Sequence, residues 1–237
     1  MRFSCIVVSL GAVVLLARPG PAQDDIALTD VTVVDVRDGS LAPGMTVVIA
    51  GGRIVTVDRA SAVRLERSTR RVDGTSKFLI PGLWDMHVHF QRSWAVPRVD
   101  FPLYLANGVT GVRLMVGDCD PSLFADSLRA RDICGIDSVE DFWPAAASIA
   151  EWRRAVSDGR LAGPRVVAAS ILFDGPRPCW PGSYTLTDPD TARARVREAQ
   201  RRGVDFIKVY NCSLSRDVYL AIADEALREV AAYEPAR

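Results

Sequence analysis

The sequence predicts an α/β chain in which a small β-sandwich precedes a run of parallel βα units. Three observations predict it. Residues 27–57 alternate β-branched and polar side chains between glycine-rich turns, the pattern of short half-buried strands. From residue 80, apolar strand-like runs alternate with amphipathic helical stretches, which implies parallel βαβ units. The 237 residues are 49% hydrophobic, an ordinary globular composition with enough apolar material for a core. Basic and acidic residues number 29 each. This balance leaves no broad basic field to recruit nucleic acid or an anionic membrane, so neither is expected as a partner.

The elements follow in order. Met1-Arg2, an apolar run from about Cys5 to Ala17 and a small-residue exit ending at Ala22 form the pattern of a secretory signal peptide over 1–22. The run is shorter than the roughly 20 residues a bilayer span needs, so no membrane association is expected after cleavage. The expected address is periplasmic or secreted. Residues 23–79 are the β-sandwich part: a strand over Ala27–Val36, a second over Met45–Ala50, the turn Gly51-Gly52, a third over Arg53–Val57, and Phe78-Leu79-Ile80 at the exit.

Residues 80–237 carry the βα units. The first strand is Leu83–His89. A helix ends over Pro102–Asn107, with Gly108 as its cap. The second strand is Thr110–Val116. Helices are expected over 121–131 and about 138–158, and the third strand over Arg165–Ser170. A Gly/Pro-rich loop, 174–182, follows. Asp188-Pro189 opens a helix with a carboxylate cap and a first-turn proline. Its buried side is Ala192, Val196 and Ala199, and its arginines read as a solvated face. The fourth strand is Asp205–Tyr210. Ser215 opens a last helix with Val218, Ile222, Ala226 and Val230 as its apolar stripe.

Chemistry concentrates in the first of these strands. Successive side chains of a strand alternate faces, so Asp85, His87 and His89 are expected to point the same way. Two imidazoles two residues apart on a stiff backbone form a bidentate metal clamp. Burying such polar groups in an apolar strand is costly without a partner, and imidazole suits zinc and its neighbours. The alternative is a pair of histidines satisfied within a core. Against it, the chain has two histidines in all, and both lie here.

Ile80-Pro81-Gly82-Leu83-Trp84-Asp85-Met86-His87-Val88-His89 resembles the first barrel strand of the metal-dependent amidohydrolase superfamily. The nearest flavour is its secreted, imidazolonepropionase-like and dipeptidase-like branch. The likeness runs from about residue 26 to about 228 and is less familiar near 114–150. It implies a (β/α)8 TIM barrel with the site at the C-terminal ends of the strands. A full barrel takes about 250 residues, and the roughly 160 here supply about four βα units, a partial barrel. In the resembled family, strands from the C-terminal end of the chain complete the sandwich. Open edges at the first and fourth strands would invite pairing with another chain, so an oligomer is an expectation.

The resemblance also assigns Lys208, within Val204-Asp-Phe-Ile-Lys-Val-Tyr210, to the lysine that CO2 carboxylates into a carbamate bridging two metals. Carboxylation requires the neutral amine. The metal ligands expected are therefore His87, His89 and Lys208, holding one or two divalent ions, zinc foremost. Asp85 is a candidate to orient an imidazole, and Trp180 and Tyr210 are candidates to line the pocket. The family's later histidines and its general-base aspartate cannot be mapped onto this chain. Arg113-Leu114 departs from the family pattern, in which an aspartate commonly follows the arginine. The function implied is hydrolysis of carbon–nitrogen bonds (amide, cyclic amide or dipeptide-type) in a small-molecule or peptide-like substrate, by a chain expected to be truncated. Two alternatives from other classes are a non-catalytic exported remnant or interaction module and a lyase using Lys208 as a Schiff-base amine. After the leader, four cysteines permit three pairings. Free thiols are the expectation, with a Cys179–Cys212 bridge as the alternative.

Overall fold

The computed structural model describes residues 25–90, 95–118, 123 and 149–232. The leader expected over 1–22, the helix expected over 121–131, the first part of the one expected over 138–158, and Cys119 and Cys134 lie outside the described residues. The chain divides into two compact units, Met1–Pro81 and Gly82–Arg237.

The first unit is a five-stranded sheet: β1 (Ile26–Val34), β2 (Leu41–Ala50), β3 (Arg53–Arg59), β4 (Arg70–Asp73) and β5 (Phe78–Leu79). The order is β3-β2-β1-β4, with β5 also on β1. The β1–β2 and β2–β3 pairs are antiparallel, whereas β4 and β5 run parallel to β1. Gly51 and Gly52 have φ of +55° and +74°, the conformation of a two-residue hairpin turn that matches strand twist. Ala27, Val31 and Val47 are buried, while Ile54, Val55, Val57 and Phe78 stand exposed. The described residues thus supply one layer of a sandwich.

The second unit is built on three paired parallel strands, β6 (Leu83–Val88), β7 (Val109–Leu114) and β8 (Arg165–Ala168), in that order. A five-residue π-helical turn, Val96–Asp100, leads into α1 (Phe101–Ala106), and α2 is Ile149–Ser157. Val88, Phe101, Val112, Leu114, Trp152 and Val166 form the core between sheet and helices. Phe90 meets Phe101 and Trp152 edge-on, at centroid distances of 5.8 and 6.1 Å, the geometry that aromatic quadrupoles favour.

The fourth strand differs from expectation. Over Asp205–Tyr210 it forms two isolated parallel bridges, Ala169 to Phe206 and Phe173 to Val209, rather than a continuous ladder. The bonding is still ordered. Asp205 N donates to Ala168 O, Ser170 N to Phe206 O, Phe173 N to Lys208 O, and Tyr210 N to Phe173 O. Between these, Lys208 N donates to the Ser170 hydroxyl at 3.1 Å. A side-chain oxygen stands where a carbonyl would continue the ladder, which satisfies the amide without a regular register.

Beyond it, β9 (Phe173–Asp174) pairs in parallel with β10 (Tyr184–Thr185). The helix α3 spans Pro189–Arg201 and α4 spans Arg216–Ala232. Asp188 caps α3 by accepting from Thr191 N at 2.8 Å, and Ser215 accepts from Val218 N at 3.3 Å. Ala192, Val196 and Ala199 meet Val218 and Ile222 in a second apolar cluster with Phe173 and Leu186. The arginines of α3 are more engaged than a solvated face would be. Arg193 reaches Asp224 at 2.5 Å, and Arg197 reaches Glu225 at 2.6 Å. The Glu225 side chain is 7% exposed.

Cys179 and Cys212 form a disulfide, with Cα atoms 5.9 Å apart. This corrects the expectation of free thiols. The reason is long-range: the loops after the third and fourth strands lie side by side, and a separation of 33 residues hides that from sequence pattern.

Candidate metal centre

The histidine candidates sit where a parallel strand ends, and Lys208 lies on the bridged segment 205–210. His87 lies in the last turn of pleat of β6, and His89 follows it directly. Val88 between them is 5% exposed and packs into the core, so alternation sends both imidazoles to the opposite, open face. Their Nε2 atoms lie 3.1 Å apart, with ring centroids at 5.2 Å. Two nitrogens each about 2.0–2.1 Å from a tetrahedral zinc stand about 3.3 Å apart. The observed spacing therefore fits one shared cation. As neutral rings without one, the pair can share a single N–H.

His89 has its pKa lowered. Burial is the leading cause, followed by the neighbouring His87 and then the charge of Lys208. Its lone pair stays free at a pH where a solvated imidazole would take a proton. The same interaction puts Lys208 within electrostatic reach of the pair. The lysine is half-buried, and its Nζ lies 5.3 Å from the centre of the Tyr210 ring.

Asp85 is a correction. The β6–β7 register slips between Asp85 and Val88. Asp85 sits beside Val112, and Val88 beside Leu114; Val112 and Leu114 share the core face, so Asp85 is out of phase with the histidines. Its carboxylate accepts from the backbone N–H of His87 at 3.1 Å, fixing the chain rather than a ring. Trp180 is 43% exposed on the 174–182 loop. Its carbonyl accepts from the Ser183 hydroxyl at 2.8 Å, and no described contact joins its indole to His87, His89 or Lys208.

Sequence reasoning passed over Asp174. It is fully buried, and its carboxylate accepts four backbone N–H groups: Gly175 at 2.7 Å, Cys179 at 3.0 Å, Cys212 at 3.1 Å and Ser213 at 3.3 Å. An Asp-Gly pair leaving a strand looks like any turn, so no local signal marks it. Asp174, Cys179 and Cys212 also place potential ligand atoms within 4.8 Å of one another, but the donors already occupy the carboxylate and the thiols are joined.

No protein-family model matches the chain. An adenine deaminase of Staphylothermus marinus is 26% identical over 132 residues, covering 55% of this chain and 20% of the relative. Adenine deaminase 3 of Rhizobium meliloti is 30% identical over 121 residues, 51% and 18% respectively. Among solved structures, a putative prolidase from Bifidobacterium longum superposes with a TM-score of 0.66 at 25% identity, covering 88% of this chain and 48% of that one. The chain thus spans about a fifth of these curated relatives and about half of the solved structure. Fold and sequence together define part of a (β/α)8-barrel protein with its strand ends facing one rim. These likenesses support the metal-dependent amidohydrolase superfamily as the class to which this partial barrel is related.

Proposed function

We propose that this chain carries the first half of the metal site of a hydrolase acting on carbon–nitrogen bonds. The observation that supports it is the 3.1 Å approach of the two Nε2 atoms beside a lysine whose charge acts on His89. His87 and His89 donate two lone pairs to a divalent ion, zinc by donor chemistry. Lys208 contributes through carboxylation. Its neutral amine attacks CO2, a C–N bond forms, one proton leaves to solvent, and the resulting carbamate offers anionic oxygens. When bound, the metal supplies Lewis acidity toward a carbonyl and toward water. The lowered basicity of His89 keeps that imidazole's lone pair available near neutral pH.

The names of the relatives, adenine deaminase and prolidase, share carbon–nitrogen hydrolysis and support that class over a Schiff-base lyase. Turnover is proposed for the whole protein, because this chain offers two histidines where the family uses further ligands. We further propose export to the periplasm or beyond, with cleavage after Ala22. Among the described residues no helix is long and apolar enough to cross a membrane.

The test is metal content. The purified chain, dialysed against zinc with bicarbonate, should retain about one or two equivalents, and His87→Ala with His89→Ala should retain none. Equal retention by the double variant would end this reading. For the full-length protein, release of proline from Xaa-Pro dipeptides and of ammonia from adenine would separate the two substrate types.

A further inference from the structure

We infer that Asp174, the Cys179–Cys212 disulfide and Ser213 form a redox-sensitive latch that positions the strand segment carrying Lys208. This deepens the metal reading above and rests on it for its consequence, though not for its test.

The first part of the segment 205–210 is held by single bonds to Ala168 and Ser170 rather than by a continuous ladder. From Lys208 onward the bonds come from the loop beyond the third strand. Phe173 brackets Lys208, donating its N–H to the Lys208 carbonyl and accepting from Tyr210 N. The next residue, Asp174, accepts from Gly175 and Cys179 on its own loop and from Cys212 and Ser213 on the other. A buried carboxylate needs such donors, and losing some of them leaves an unsatisfied charge. The disulfide ties the loops covalently. Ser213 adds a reciprocal pair, its hydroxyl accepting from Arg177 N at 2.8 Å and donating to Arg177 O at 3.0 Å. Gly175 permits the approach: a Cβ there would run into the Ser213 carbonyl.

Apart from the Gly175 and Cys179 bonds to Asp174, these contacts cross between residues 173–179 and 208–213, so the loops act as one clamp at the base of the lysine. The bridge joins exposed residues, within reach of a soluble dithiol. Reduction breaks the S–S bond and makes two thiols; the dithiol supplies two electrons and two protons and closes to its own cyclic disulfide. Hydrogen bonds alone, those of Asp174, Ser213 and Phe173, then hold the loops, and local opening becomes easier.

The experiment is hydrogen exchange on the intact chain, oxidised and after dithiothreitol. Amides of 206–213 should exchange about tenfold faster once reduced, with α3 unchanged. A Cys179→Ser, Cys212→Ser variant should match the reduced wild type, whatever Asp174→Asn does to folding. No change on reduction, or an equal rise across α3, would overturn the latch. Cobalt uptake on the same samples reports separately. Failure of the oxidised chain to take up cobalt would sink the metal reading and leave the exchange result standing.

Discussion

In the proposed metal site, His87 and His89 share one cation, so removing either imidazole leaves a single weak donor. Loss of a partner merely orienting a ligand costs about 10–100-fold in metal affinity. His89→Ala removes a proposed ligand itself, so on that proposal zinc binding should weaken by more than about 100-fold, read by competition with a chromophoric chelator. Asp85→Ala should cost much less, since its carboxylate serves the His87 amide. In the core, Phe101 is fully buried against Phe90 and Trp152. Phe101→Ala should lose about 3–5 kcal/mol, measured by urea unfolding. The histidine pair was legible in the sequence because the strand period is local and both residues obey it. Asp85 misled because a register slip leaves no mark in the alternation. Asp174 was invisible for a different reason: two of its four donors lie nearly forty residues away.

At the scale of elements, α3 shows what neighbouring residues can announce. Its cap, first-turn proline and buried stripe all follow from sequence within one or two turns. Asp188→Ala should therefore cost about 1 kcal/mol, with Thr191 N losing its acceptor. Its partner across the helix pair could not be read the same way. Glu225 has its pKa lowered, first by the hydrogen bond from Arg197, against burial, and then by Arg193. A lowered carboxylate stabilises the fold above its ordinary value of 4.5, and that stability is lost as pH falls through the folded value. Glu225→Gln should thus be less stable than wild type at pH 7, with the gap closing as pH falls below 4.5 and through the lowered folded-state value. Urea midpoints across that range test the sign. The fourth strand was located correctly in sequence, but its irregular bonding depends on the Ser170 hydroxyl, a contact 38 residues distant.

At the scale of the molecule, the exposed apolar side chains among the described residues include a run on one sheet edge. The edge strand β3 exposes Ile54, Val55 and Val57, and an uncovered edge pairs readily with another chain. The purified chain should self-associate with rising concentration in light scattering, and Val55→Lys with Val57→Lys should reduce it. The alternation of strands and helices made the barrel class legible. The sheet order of the first unit, with β4 and β5 running parallel to β1, depends on pairings that no local pattern carries. Asp174 has one more implication, for the timing of synthesis. Two of the four donors that seat its carboxylate, Cys212 and Ser213, are made nearly forty residues after it. The buried seat of Asp174 is therefore complete only once residue 213 has joined the growing polypeptide.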